Sequence, residues 1–382
     1  MADGSEPVAA RTIGAVAAMR GAWDALASPP GAAYNPFISY DFLAALEESG
    51  SVGPGTGWTP AHLALEEGGR AVGAAPLYLK THSQGEYIFD HHWADAYGRA
   101  GGRYYPKLLC ALPFTPVPGP RLLGGKAWRG TLAAALRRLA PDSGASSVHV
   151  NFIAEEDAAA LAGEGFLARE GVQYHWFNRG YACFDDFLAA LASRKRKAIR
   201  RERAEIAASG LAIRALSGTE IKERHWDAFW TFYQDTGARK WGRPYLTRSF
   251  FSLIGEGMAD RLLLLLAERD GRPIAGALNF IGGEALYGRY WGSIEDWPFL
   301  HFELCYYRAI DFAIERGLAR VEAGAQGEHK IARGYEPVAT RSAHYIVDPN
   351  FRAAIARYLE AERAQTKREI EMLTGYAPYK KT

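Results

Sequence analysis

The sequence predicts a mixed α/β (α+β) fold repeated in tandem: two domains, each a central mixed β-sheet flanked by helices, with an amphipathic helix at the C-terminus. Two observations carry this expectation. The chain has 382 residues, against about 150 for an ordinary domain. One order of elements (hairpin, helix, strand, short helix, strand) also occurs twice along it. Such self-similarity marks a duplication, with the boundary near 178–185 and domains at 1–180 and 181–382.

The elements follow from local pattern. In the first copy, apolar residues from Leu63 and from Ala71 flank Gly68-Gly69; in the second, Leu263 to Ala267 and Ile274 to Ile281 flank Asp270-Gly271. Two-residue turns of this kind need positive φ, which glycine accepts without strain, so both segments read as hairpins. Val148 to Ile153 then reads as a strand and Glu156 to Gly163 as a short helix. Gly165-Phe166 leads to a strand pair ending at Gln173–Phe177. The second copy answers with a strand at Ala319–Ala323, a helical turn at Glu328–Arg333, and Gly334-Tyr335 before a strand at Ser342–Val347. Phe302, Cys305, Tyr306, Ala309, Ile310, Ala313 and Ile314 recur at helical spacing, giving a helix over Phe299–Arg316 that Gly317 stops. Phe351, Ile355, Tyr358, Leu359, Ile370 and Leu373 make the terminal amphipathic helix.

Composition excludes several classes. Apolar residues are 48% and charged residues 23%, far from the signature of disorder. With Lys+Arg 45 and Asp+Glu 43 the net charge is +2, so any polyanion must be met by a local patch rather than by the whole surface. Cys110, Cys183 and Cys305 form no CxxC pair, which supports neither a disulfide framework nor a zinc finger. The N-terminus lacks a secretion signal, and the longest apolar run, Leu262 to Ala267, falls short of the ~18 residues needed to span a bilayer. The expectation is a soluble cytoplasmic protein.

The second half resembles the tandem-GNAT N-acyltransferases, specifically the FemAB-like family related to the Fem aminoacyltransferases that build peptidoglycan cross-bridges. The resemblance is carried by Phe232-Tyr233, Thr236 and Arg239, the Asp270-Gly271 hairpin, Tyr290-Trp291-Gly292-Ser293, Ala313 to Gly317, Val321-Glu322, His329-Lys330 and Gly334-Tyr335. Asp90 to Tyr97 and Glu322 to Lys330 look typical of the FemAB-like branch. The resemblance implies a GNAT-like fold in each half, with a cleft where the sheet splays; the first domain is expected to take the acceptor and the second the donor. Lys330 matches the lysine of the Phe-Lys-x-x-Phe/Tyr-Gly segment of the Fem pattern. His329 stands where the phenylalanine would be, and the spacing to Gly334-Tyr335 differs.

Amide-forming acyl transfer needs a neutral amine, stabilisation of an oxyanion and a proton for the leaving group. Glu322, Gln326, Glu328, His329, Lys330 and Arg333 gather the required donors and acids after a strand, among Gly324, Gly327 and Gly334. Lys330, Glu322 and His329 are the catalytic candidates. Lys330 could instead be a solvated surface lysine. Glu322 could accept a proton from the amine, or simply pair with Arg289 or Lys330. In the first half, His91, His92, Asp95, Tyr97, Arg103 and Tyr104 mix aromatics, an acid and an arginine near glycines, suiting a polar substrate or ordinary core and turn duties. Adjacent histidines point in different directions, so no metal site is expected. Arg239, Arg289, Tyr290, Trp291, Gln326 and Glu328 are the substrate-binding candidates of the second half.

Seven of the ten residues from Arg194 to Arg203 are basic. Within a proposed helix over 185–207, Arg194, Lys195, Arg196, Lys197, Arg200 and Arg201 would attract phosphates by counterion release, or line a solvated face packed through Ile199 and Ile206. Simple acetyltransferases cradle pyrophosphate in a glycine-rich loop at a helix N-terminus. Here Gly292 to Phe299 carries Glu295 and Asp296, which would repel it. The expectation is therefore an N-acyltransferase without a permanently bound cofactor, using aminoacyl-tRNA as donor and an amine-bearing peptide or small molecule as acceptor. Acyl-CoA-dependent N-acetylation of a small metabolite, or a non-catalytic GNAT-like binding protein, is the alternative.

Overall fold

A computed structural model describes residues 8–240, 244–324 and 327–380, with side chains omitted at 238–240 and 328. It divides into two units. The first holds the chain up to Gly171 together with Ala339–Lys367, and the second holds Val172–Val338 and the chain from Arg368 onward. The division differs from a contiguous 1–180 and 181–382 split, because the end of the second copy returns to the first unit.

In chain order the strands are β1 (Val8–Ile13), β2 (Trp58–Pro60), β3 (His62–Glu67), β4 (Arg70–Ala75), β5 (Leu77–Lys80), β6 (Lys107–Cys110), β7 (Ser147–Val150) and β8 (Leu167–Phe177). They continue as β9 (Ala212–Ser217), β10 (Leu262–Arg269), β11 (Arg272–Ile281), β12 (Ala285–Ser293), β13 (Arg320–Glu322) and β14 (Glu336–Ile346).

In the first unit β1, β3 and β4 form one small sheet, and β2, β5, β6, β7 and β14 lie side by side in that order. Gly68 and Gly69, at φ 57° and 75°, close the β3–β4 hairpin. β6 and β7 run parallel from Leu108↔Val148 to Cys110↔Val150, and the crossover between them contains the helix Lys126–Asp142. Leu132 and Leu136 of that helix pack against Leu65, Leu108, Val148 and Val150.

In the second unit the order is β8, β13, β12, β11, β10, β9. Asp270 and Gly271, at φ 52° and 76°, make the two-residue turn between β10 and β11. Leu262 to Ala267 are all buried, each leucine contributing about 2 kcal/mol relative to exposure. The helix Glu223–Lys240 packs on β11 and β12. Gly292 is what permits that approach, since a Cβ there would lie 2.2 Å from the Phe232 carbonyl oxygen. The helix expected over Phe299–Arg316 runs from Leu300 to Glu315 and widens to a π turn at Glu303–Tyr307.

The closing strands are exchanged. β8, the last strand of the first copy, pairs with β13 in the second unit, while β14, the last strand of the second, pairs with β7 in the first. Both are 11 residues long and both carry a histidine in ninth place, His175 and His344. Pro349–Gly375 forms the expected terminal helix. Among the described residues no helix is long and apolar enough to cross a membrane.

Candidate active site

The second unit opens where β12 and β13 part. They pair in parallel only from Ala285↔Arg320 to Tyr287↔Glu322; β13 then stops while β12 runs on to Ser293, leaving a notch beyond the end of β13. A bulge in the β11–β12 pairing, between Leu278↔Tyr290 and Asn279↔Gly288, makes Arg289 the extra residue. Bulges re-aim side chains, and the Arg289 guanidinium turns back to donate to the carbonyls of Gly288 (2.8 Å) and Glu322 (3.0 Å) and to Glu322 Oε2 (3.4 Å).

Glu322 is 1% exposed. Its other oxygen accepts from Arg320 Nε at 3.0 Å, so the carboxylate lies between two guanidinium groups. This is the pairing alternative open in the sequence, with Arg320 added. His175 stands 3.9 Å from Glu322 Oε2 and is lowered below its ordinary pKa, chiefly by burial.

Lys330 is 3% exposed rather than solvated. It comes from the two-turn 3-10 helix Glu328–Arg333, which Gly334 ends at φ 90°. Its Nζ donates to the carbonyls of Ala323 (2.7 Å) and Gly324 (3.0 Å), just past the end of β13. Burial, then the Arg289 charge, lowers its pKa from 10.5 to about 7. At neutral pH it therefore holds or releases a proton with little bias. His329 is exposed and shares a 2.9 Å hydrogen bond with the Tyr306 hydroxyl, whose pKa burial raises.

Trp291 is half-buried, edge-on to His301 at 5.2 Å, and Tyr290 is buried against Tyr233. Gln326 lies outside the described residues, and of Arg239 and Glu328 only the backbone is described. The expected 185–207 helix is two helices, Phe184–Ala190 and Ser193–Ala208. Ile199, Glu202 and Ile206 face inward. Glu202 accepts from Tyr307 and from Arg333 (3.1 Å), and Arg203 pairs with Asp311 (2.7 Å). These contacts anchor the helix. Arg194, Lys197, Arg200 and Arg201 are exposed, Arg200 pairing with Asp185, and Lys195 and Arg196 are half-buried.

The first-half candidates divide. His91, His92 and Asp95 lie exposed on the helix His91–Arg99, Arg103 is exposed beyond it, and Tyr97 stacks on Phe351 at 4.4 Å. Tyr104 is not a surface contact: it is buried, donating to Asp90 Oδ2 at 2.7 Å. It belongs to a closed polar cluster that sequence reasoning missed. Lys107 Nζ binds Asp90 (2.5 Å), Ser83 (2.7 Å) and Glu86 (2.8 Å), and Lys80 sits 3.7 Å over the Trp58 ring. Burial pushes Glu86 up to about 7, whereas Lys107 and His149 outweigh burial at Asp90 and hold its carboxyl low. His149 and His344 meet at 2.7 Å between Nδ1 atoms, and burial drives both below their ordinary pKa, so one neutral ring donates to the other. A lysine closing one apolar strand, Lys80, and another opening the next, Lys107, were the available signal.

A family model described as FemAB-like, peptidoglycan biosynthesis/recognition, matches residues 15–381. The chain belongs to the FemAB-like family. Among curated proteins none matches it in sequence. In structure, this FemAB-like chain is similar to a conserved protein of unknown function from Bacteroides thetaiotaomicron, at 12% identity and TM-score 0.53 over 88% of this chain and 99% of that one. It is similar to L-PGS from Bacillus licheniformis at 11% identity and TM-score 0.50, over 87% and 99%. FemX aligns at 14% identity and TM-score 0.49, over 79% and 91%. At such identities the likeness concerns the fold. Membership in the FemAB-like family supports acyl- or aminoacyl-transferase chemistry.

Proposed function

We propose that this FemAB-like chain forms amide bonds by moving an aminoacyl or acyl group from an activated ester, with aminoacyl-tRNA as donor, to an amine on a peptide or small-molecule acceptor of the cell envelope. The observation that carries the reading is Lys330, buried at the notch and held by two carbonyls with its pKa lowered to about 7. An ammonium has three N–H donors, so two on carbonyls leave a third for a developing oxyanion.

In the proposed step the amine nitrogen attacks the ester carbonyl, the C–N bond forms, and the ester C–O bond breaks. The amine loses one proton, taken by His329, and the departing ribose oxygen gains one from Lys330. A donor near neutrality suits that exchange. Glu322, held by Arg289 and Arg320, positions the arginines rather than acting as a base. The exposed charges of Arg194, Lys197 and Arg201 support a polyanionic donor, and the exposed Asp296 speaks against a pyrophosphate. Incubating the protein with charged tRNAs, acyl-CoAs and candidate amines, then identifying amides by mass spectrometry, tests the reading. Products from acyl-CoA alone would move the donor, and no product from any donor would overturn catalysis.

A further inference from the structure

The segment that joins β12 to the helix beginning at Leu300 walls a cavity of about 290 Å³ in the second unit. Trp291, Trp297, Glu295, Asp296, Thr236 and His301 are among its lining, which among the described residues holds no lysine or arginine. Trp297 Nε1 donates to Glu295 Oε2 at 3.0 Å, and the other Glu295 oxygen pairs with Arg269 at 2.8 Å, which fixes the indole and largely neutralises that glutamate. Asp296 is exposed and, among the described residues, has no ion-pair partner. Thr236 Oγ1 is buried without a hydrogen-bond partner among the described residues.

We infer that this cavity is a subsite for an organic cation, an alkylammonium or guanidinium group carried by one of the substrates. Two indole rings and the Asp296 carboxylate attract such a group, whereas a phosphate would be repelled by that carboxylate. The buried threonine oxygen offers the cation an acceptor. The group held here is not the attacking amine, because the cavity favours the protonated form and only a neutral amine attacks. One substrate therefore carries a second nitrogen: the α-ammonium of an aminoacyl donor, or the side-chain ammonium of the acceptor. Assignment to a substrate rests on the acyl-transfer reading; the binding of a cation does not.

Isothermal titration of the full chain separates the cases. The acceptor arm compares Nα-acetyl-lysine amide with Nα-acetyl-norleucine amide. The donor arm compares a 3′-aminoacylamino-adenosine with its N-acetylated form, and coenzyme A is the anion control. The cationic member of at least one pair is expected to bind about tenfold more tightly than its neutral partner. That preference should vanish in Asp296→Asn and in Trp297→Leu and return in Trp297→Phe. Asp296 is exposed, so its replacement leaves the packing intact. Equal binding within both pairs, a preference that survives Asp296→Asn, or coenzyme A competing with the cation overturns the subsite. Lys330→Ala should keep the cation preference while losing amide formation. Lost preference with amide formation intact therefore overturns the subsite alone, and preserved preference with no amide from any donor overturns only the transfer reading.

Discussion

Replacing Lys330 by methionine isolates the cost of holding an ammonium in the notch. The pKa falls from 10.5 to about 7, and at 1.36 kcal/mol per unit the buried charge costs about 5 kcal/mol at most. The carbonyls of Ala323 (2.7 Å) and Gly324 (3.0 Å) favour the charged form and offset part of this. Lys330→Met is therefore expected to be more stable than the wild type by about 2–4 kcal/mol at pH 6. The sign of the pH dependence follows from proton counts. Between about pH 7 and 10.5 the unfolded chain holds the Lys330 proton and the folded chain does not, so wild-type stability rises with pH across that window. The gap between the two proteins should shrink toward zero as pH approaches 10.5. Urea unfolding followed by tryptophan fluorescence at several pH values measures it. A methionine variant less stable than the wild type at pH 6, or a gap that does not change with pH, would refute burial as the source of the lowered pKa.

Three further outcomes follow from the same geometry. Glu322→Gln removes the charge that compensates the buried Arg289 guanidinium and should cost about 3 kcal/mol in denaturant unfolding at pH 7; a loss below 1 would mean the pair is not desolvated. Gly292→Ala brings a Cβ to 2.2 Å from the Phe232 carbonyl, which should displace the helix Glu223–Lys240 at a cost of about 2–3 kcal/mol, while wild-type stability would show the helix free to move. Changing Arg194, Lys197 and Arg201 together to glutamine should leave stability unchanged, raise KM for aminoacyl-tRNA, and lower its log–log salt slope by about 2. An unaltered slope would place the donor elsewhere.

The hairpins and the helix before β13 were legible because each rests on local chemistry: Gly68-Gly69 and Asp270-Gly271 at positive φ, and apolar spacing along Leu300–Glu315. The exchange of β8 and β14 was not. A strand's partner depends on contacts far along the chain, and two copies of one plan offer each closing strand two equivalent edges. Glu322 and Lys330 were legible as candidates by type and position, but their surroundings were not. The Arg289 bulge and the neighbouring Arg320 turn a candidate base into the centre of an ion-pair cluster, and burial makes Lys330 a group that titrates near neutrality. Tyr104 read as a substrate contact because it lies among aromatics and an arginine beside glycines; the charged cluster that buries it brings Glu86 and Asp90 to Tyr104 and Lys107 from a separate segment of the chain.

The most direct test compares wild type with Lys330→Ala for amide formation from aminoacyl-tRNA and an amine, read by mass spectrometry at pH 7, with circular dichroism confirming that both are folded. The expected result is product from the wild type and a rate at least about a hundredfold lower in the variant. A folded Lys330→Ala protein that forms product at the wild-type rate would contradict the assignment of the notch as the centre of transfer.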